Sequence, residues 1–239
     1  MNQIVSLSGG KDSTATLLMM IERKEPIHSA VFFDTGWEFP GMYEHINLLE
    51  KRTGIKIWRL HSRLPFDYWM TARPVIARKG PDKGKVYRIG NGWPSPSRRW
   101  CTREKVDTVD YYCNPIENAI CCVGFAADET HRGTPNSKTP SRFPLQEWGI
   151  TEADALQYCY DKGYYWGGLY EFFHRVSCFC CPLQNLDSLR TLRRHFPNLW
   201  QRMLKMDRAI PVNRGFGGDK TVHDLELRFS DEDRQLELL

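Results

Sequence analysis

A short apolar run from Gln3 to Ser8 passes through Gly9-Gly10 straight into an apolar-periodic stretch from Asp12 to about Arg23, and the alternation then repeats. Ile27 to Asp34 reads as a second strand centred on Val31-Phe32-Phe33. Pro40 suits the first position of a helix that runs to about Arg52 and stops at Gly54, and Ile55 to Leu60 reads as a third strand. Strands separated by helices return parallel to one another through right-handed crossovers, so this pattern predicts an α/β fold built on a parallel sheet. Cys101 to Tyr112 recovers helical spacing, and Ala119 to Phe125 reads as a further strand with Ile120-Cys121-Cys122-Val123 buried. Asp128 to Arg142 reads as polar loop. Thr151 to Lys162 reads as a helix with Thr151 as N-cap and Asp154 three residues on. Leu186 to Arg208 reads as one or two basic helices broken near Pro197, and the acidic tail from His223 as helical after Ser230.

The 239 residues are 41% hydrophobic, 13% aromatic and 26% charged, which excludes a disordered or collagen-like chain. No apolar run reaches the roughly 18 residues of a membrane span, and Met1-Asn2-Gln3-Ile4-Val5 enters a strand pattern with no basic, then apolar, leader. The expectation is a cytoplasmic protein with no membrane partner. In that compartment eight cysteines read as metal ligands or catalytic thiols rather than disulfides. The formal net charge is +4, yet Thr71 to Val106 holds ten lysines and arginines against Asp82 and Glu104. Residues 71–100 form a basic loop too long to be mere connection. With Tyr87, Trp93 and Trp100 interleaved, and Arg190, Arg193, Arg194, Arg202, Lys205 and Arg208 on the late helices, it suits a nucleic-acid backbone, a lid over phosphates or a solvated surface.

Ser8-Gly9-Gly10-Lys11-Asp12-Ser13-Thr14 follows a strand and opens a helix, the context in which backbone N–H groups grip an anion. The two glycines permit close approach and positive φ. Lys11 would neutralise phosphate, Ser8, Ser13 and Thr14 would donate hydroxyls, and Asp12 would hold Mg2+ or order the turn. The adjacent glycines distinguish it from the G-x-x-x-x-G-K-[ST] loop of nucleoside triphosphatases.

Ser8-Gly9-Gly10-Lys11-Asp12-Ser13 resembles the PP-loop of ATP pyrophosphatases and adenine nucleotide α-hydrolases, which cleave ATP between the α and β phosphates. Phe33-Asp34-Thr35-Gly36-Trp37-Glu38-Phe39-Pro40 resembles a motif shared by phosphoadenosine phosphosulfate (PAPS) reductases and the small subunit of bacterial ATP sulfurylase. Arg99-Trp100-Cys101-Thr102-Arg103-Glu104-Lys105 is similar to the R-x-C-x-x-x-K helix start of that superfamily. Val123 to Arg132 is similar to its G-x-R-x-x-E-S-x-R segment, with Ala126 in place of the first arginine, and Pro144-Leu145 with Trp148 to its P-L-x-x-W. The resemblance covers residues 1–183. It implies a doubly wound, mainly parallel five-stranded sheet forming the nucleotide-binding domain, with 184–239 as a C-terminal helical extension. It further implies an adenine nucleotide, ATP with Mg2+, across the strand ends: Asp34 near ribose or base, Gly124 giving the base room, and Arg132 facing phosphate or second substrate.

Cys178-Phe179-Cys180-Cys181-Pro182 contains a C-x-x-C that can converge on one iron or zinc, and Cys101 opens a helix in a basic setting. Members of the resembling reductase family that carry a [4Fe-4S] cluster use a Cys-Cys pair followed by a C-x-x-C. Here the first pair is Cys101-Thr102, leaving three of the four ligands. Three readings stand: a three-cysteine [4Fe-4S] cluster on Cys101, Cys178 and Cys181 with one open iron; Cys180 or Cys113 completing a site for iron or Zn2+; or buried thiols. The family's reductases attack sulfur with a C-terminal thiolate, whereas the last cysteine here is Cys181. The resemblance thus implies ATP-dependent, pyrophosphate-releasing adenylyl transfer, in sulfur metabolism or sulfur insertion into tRNA or DNA, by a transferase with a sulfur donor or partner subunit and as a possible homodimer. The alternatives are a sulfonucleotide reductase with a relocated cysteine and a partner-dependent subunit like the ATP sulfurylase small chain.

Overall fold

The computed structural model of the protein describes residues 1–95, 98–129, 137–211, 216 and 220–236. In chain order its elements are β1 (Asn2–Leu7), α1 (Lys11–Glu22), β2 (Ile27–Phe33), α2 (Pro40–Thr53), β3 (Ile57–Leu60), α3 (Phe66–Thr71), β4 (Pro74–Ile76) and β5 (Val86–Ile89). There follow α4 (Trp100–Cys113), β6 (Ala119–Val123), β7 (Ser141–Arg142), α5 (Pro144–Glu147), α6 (Glu152–Asp161), α7 (Leu169–Phe172), α8 (Leu186–His195), α9 (Pro197–Ala209) and α10 (Val222–Leu236). The chain divides into two compact units, the first from Met1–Ser62 and Thr102–Cys178, the second from Arg63–Cys101 and Phe179–Leu239. Residues 63–101 are grouped with the C-terminal helices in the second unit.

In the first unit a five-stranded sheet runs in the order β3-β2-β1-β6-β7, and every neighbouring pair is parallel. The central strand is covered on both faces, which demands a continuous apolar run. Ile4, Val5 and Leu7 are fully buried. Pro40 opens α2 and Gly54, at φ 69°, closes it in the left-handed conformation that glycine adopts without strain. Thr151 and Asp154 form both halves of a capping box on α6. The fifth strand falls inside the segment read as polar loop. Its two residues carry no apolar run because Arg142 anchors it by charge, its guanidinium paired with Glu25 and Glu147 and bonded to Gln3.

The second unit holds two differences from the sequence reading. The basic loop contains an antiparallel hairpin, β4 on β5, that pairs Val75 with Arg88. Trp93 is buried, donates its indole N–H to Asp207 at 2.8 Å and meets Phe216 edge-on, while Trp100 packs on Phe66 and Trp69. Of the three interleaved aromatics, Trp93 is thus core and Trp100 is half-buried among aromatic neighbours. The acidic tail becomes helical at Val222 rather than after Ser230, because Val222, Leu225 and Phe229 give it a buried face. Its carboxylates take up the basic face of α8: Arg190 binds Glu232, Arg193 binds Glu226 and Asp233, and Arg194 binds Asp233. Among the described residues no helix is long and apolar enough to cross a membrane.

Candidate functional site

β1 ends at Leu7, and the Ser8–Thr14 loop turns the chain into α1. Gly9 sits at φ +82°, and a Cβ there would fall 2.2 Å from Met42 Sδ, so only glycine makes this turn without strain. The turn is pinned from both sides. Trp166 donates its indole N–H to the Gly9 carbonyl at 2.7 Å, and the Tyr170 hydroxyl accepts the Lys11 amide at 2.7 Å. Ser13 Oγ accepts the Ser8 amide and donates to the Gly10 carbonyl, each at 3.1 Å. Thr14 Oγ1 lies 2.9 Å from Nε2 of His45, which stacks on Trp166. Burial pushes His45 down to about 3, so it stays neutral at physiological pH. Gly10, the N-cap of α1, offers no side-chain cap, and the amides of Asp12 and Ser13 have no acceptor among the described residues.

Lys11 is buried, at 5% exposure, with its ammonium 2.5 Å from Glu152 Oε2 and 3.4 Å from Asp12 Oδ2. Asp12 Oδ1 is buried and without a hydrogen-bond partner among the described residues. Desolvation raises the Asp12 carboxyl to about 6; the Lys11 ammonium opposes this, and the charges of Glu152 and Glu129 add to it. Just after β6, Gly124 closes against this first helical turn: a Cβ there would sit 2.7 Å from the Ser13 amide nitrogen and 2.8 Å from the Asp12 carbonyl carbon. Both neighbours are backbone and cannot yield. Gly124→Ala is accordingly expected to destabilise the first unit by about 1–3 kcal/mol and to weaken nucleotide binding; a urea midpoint equal to wild type would refute the close approach.

At the end of β2, Asp34 Oδ1 accepts the Gly36 amide and the Tyr43 hydroxyl, each at 2.7 Å, so one carboxylate oxygen braces the turn. Glu38 is buried, which raises its carboxyl; it accepts the Thr35 hydroxyl at 2.7 Å and lies 3.5 Å from Cys178 Sγ. Desolvation lowers Lys105, against the nearby charges of Cys178 and Glu38.

The structure gathers Ser8, Gly9, Gly10, Lys11, Asp12, Ser13, Thr14 and Gly124 into one corner of the first unit. Arg132 lies outside the described residues. None of the eight cysteines is joined in a disulfide. Cys178 belongs to the first unit, Cys101 and Cys181 to the second. Cys113 is packed with Ile4, Val31, Val109 and Cys121 in the core, and Cys180 is buried. Burial pushes the Cys121 and Cys122 thiols up to about 12. Among the described residues no three His, Cys, Asp or Glu side chains are grouped to hold a metal ion. Magnesium is different. It is usually held by one or two carboxylates together with substrate phosphates, and the unpartnered Asp12 Oδ1 is a hard oxygen of that kind.

Tyr170, Trp166, His45 and Glu152 are absent from the sequence reading. Tyr164-Tyr165-Trp166-Gly167-Gly168 has neither strand nor helix periodicity; its signal was the aromatic cluster followed by two glycines, both of which take positive φ.

Residues 2–73, spanning the loop, Asp34 and Glu38, match the phosphoadenosine phosphosulfate reductase domain family. Over those residues the chain is PAPS reductase-like. It is 26% identical over 234 residues to an uncharacterized protein of Methanocaldococcus jannaschii, a match covering 90% of this chain and 43% of the relative. This PAPS reductase-like chain thus spans less than half the length of the curated relative it matches. Among solved structures it is similar to PAPS reductase from Candida auris in its phosphate complex, with a TM-score of 0.49, 14% identity, and coverage of 74% of this chain and 83% of that one. It is also similar to the U34-tRNA thiolase NcsA from Methanococcus maripaludis with its [4Fe-4S] cluster, with a TM-score of 0.43, 14% identity, and coverage of 87% and 71%.

Proposed function

We propose that this PAPS reductase-like chain binds ATP with Mg2+ at the Ser8–Thr14 loop and transfers the adenylyl group to an oxygen of an acceptor, releasing pyrophosphate. The observation that carries this reading is the buried Lys11 ammonium at the start of α1, whose present partners are the carboxylates of Asp12 and Glu152. A buried cation demands a hydrogen-bonded anion. Phosphate, with more charge and more acceptor oxygens than one carboxylate, would take over from Glu152. The acceptor oxygen bonds to the α-phosphorus while the bond from that phosphorus to the α,β-bridging oxygen breaks, and the electron pair leaves on pyrophosphate. Lys11 and the open amides of Asp12 and Ser13 would stabilise the growing charge on the leaving group. Mg2+, held by Asp12 and the phosphates, would supply further neutralisation of that charge.

An acceptor carbonyl activated in this way is open to a hydrosulfide nucleophile, which adds to the carbon as AMP departs with the former carbonyl oxygen. The match of residues 2–73 to the PAPS reductase domain family supports sulfur-related nucleotide chemistry of that kind. The test is ATP labelled at the α-phosphate, incubated with Mg2+ and candidate acceptors, with pyrophosphate and AMP followed together. Stoichiometric pyrophosphate is expected, and ADP with orthophosphate would overturn the reading. A second reading rests on the 43% coverage of the longer relative: a nucleotide-binding subunit that requires a partner chain. It expects ATP binding by calorimetry without turnover.

A further inference from the structure

We propose that the β4–β5 hairpin is an arm that docks an unpaired polynucleotide strand. As the class of acceptor, this inference rests on the adenylyl-transfer reading; as a binding surface it stands alone. Between Arg73 and Ile89 lie six of the chain's 33 lysines and arginines but only one of its 29 acidic residues, so the rest carries 27 basic against 28 acidic residues. The positive excess of the whole chain sits on this one ribbon. On α8, by contrast, the arginines are answered by α10 carboxylates. Among the described residues Arg78, Lys79 and Lys83 make no ion pair, and Lys85 reaches only Asp82 of its own hairpin, at 3.0 Å.

The arm has a fixed root and an ordered tip. Gly90, Asn91 and Gly92 donate their amides to the carbonyls of Arg73, Trp69 and Met70 at 2.8–3.0 Å, and the Arg73 guanidinium lies 4.0 Å over the Trp69 ring. At the tip, Ala77 and Lys85 are joined by a 3.0 Å backbone bond, with Gly80 and Gly84 at positive φ. Tyr87 is 57% exposed, with Arg88 beside its ring. Exposed Ile76, Val86 and Ile89 complete a surface of cations around stacking and apolar groups, the combination that tracks a backbone and stacks unpaired bases. A membrane surface is the poorer match. Membrane-seeking elements place Trp, Phe or Leu at the insertion point, whereas the tip reads Arg78-Lys79-Gly80-Pro81-Asp82-Lys83-Gly84-Lys85.

The test is fluorescence anisotropy on the full chain with labelled oligonucleotides of about 20 nucleotides, longer than a typical single-strand site, without ATP. Single-stranded RNA, single-stranded DNA, duplex and anionic phospholipid vesicles are compared. Single strands of at least one sugar type are expected to bind at least tenfold tighter than duplex, RNA against DNA reporting which sugar is preferred. The R78E/K79E/K83E variant should lose at least tenfold in affinity, and its salt dependence should flatten by about 2, at roughly 0.7 for each phosphate the arm no longer neutralises. Tyr87→Ala should lose at least fivefold, about 1 kcal/mol of stacking. The matched reversal K24E/K51E/K220E should bind as wild type, and urea midpoints of all variants should agree. Unchanged affinity in the tip variant, equal loss in the matched control, duplex binding as tight as single strand, or binding to vesicles alone would each overturn the proposal. Because ATP is absent, such a failure leaves the adenylyl-transfer reading standing, and failure of pyrophosphate release leaves this binding result intact.

Discussion

Lys11→Met is expected to lower kcat/KM for pyrophosphate release by at least a hundredfold while the first unit stays folded. The side chain is 7% exposed, so methionine of similar length fills its space and the loss is one of charge. Removing one donor from a site that stabilises developing negative charge typically lowers the rate about 10²–10³-fold. Lys11→Arg should not rescue, because the guanidinium is a planar fork and the buried lysine position suits a compact ammonium. Glu152→Gln gives the complementary result. Its carboxylate is the nearest partner of the Lys11 ammonium, at 2.5 Å, and so competes with phosphate for it. Neutralising that competitor should tighten MgATP about threefold to tenfold, on the order of 1 kcal/mol for a partly exposed charge. Pyrophosphate-release kinetics of Lys11→Met and calorimetric titration of Glu152→Gln with MgATP, each against wild type, check the two. If Lys11→Met keeps activity within threefold of wild type, Lys11 is a structural ion-pair residue and the adenylyl-transfer reading fails with it.

The parts of this protein legible in its sequence are those in which one local rule acts alone. β1, α1, β2 and α2 follow from apolar runs broken by Gly9-Gly10 and closed by Gly54. The α6 capping box follows from Thr151 and Asp154. β7 was illegible because two residues held by Arg142 to Glu25 and Glu147 leave no periodicity to read. The hairpin was illegible for a related reason: its strands are short and largely exposed, so no alternation marks them. The same limit applies to the candidate site. Glycines and a lysine at a strand-to-helix turn announce an anion loop, since backbone geometry dictates them. The residues that hold the loop in shape come from far along the chain, Tyr170 to the Lys11 amide and Trp166 to the Gly9 carbonyl. Only folding brings them there. Motif residues also turned out to serve the loop itself: Ser13 braces Ser8 and Gly10, and Thr14 meets His45. Lys11, Asp12 and the open amides are left as the groups that would meet a ligand.

Asp12→Asn is expected to make the protein more stable and far less active at once. The folded-state carboxyl titrates at about 6, against 3.8 for the free group, because burial disfavours its charged form. A raised pKa means that the folded state holds the proton more tightly than the unfolded state. Stability then falls as pH rises between the two values and stays lower above them. Below about pH 4 both states are protonated and the group costs nothing. At pH 7.5 it costs about 2–3 kcal/mol, since each tenfold difference in proton affinity between the two states is worth about 1.4 kcal/mol. Asparagine carries no charge to desolvate, so the variant should gain about 2 kcal/mol at pH 7.5, a gain that shrinks through pH 6 to 4 and vanishes below. Urea unfolding of wild type and variant across this range tests it. Activity should move the other way, falling at least a hundredfold, because the amide cannot supply the anionic oxygen by which Mg2+ would be held beside the phosphates. Wild-type turnover should itself decline below about pH 6 as Asp12 takes up its proton, and saturating Mg2+ should shift that decline to lower pH. An Asn variant less stable than wild type at pH 7.5 would mean that the carboxylate is there for the fold, held by Lys11. A variant that is more stable and inactive would mean that the chain keeps a buried, partly unsatisfied charge against its own stability, which is the physical signature of a group retained for a ligand.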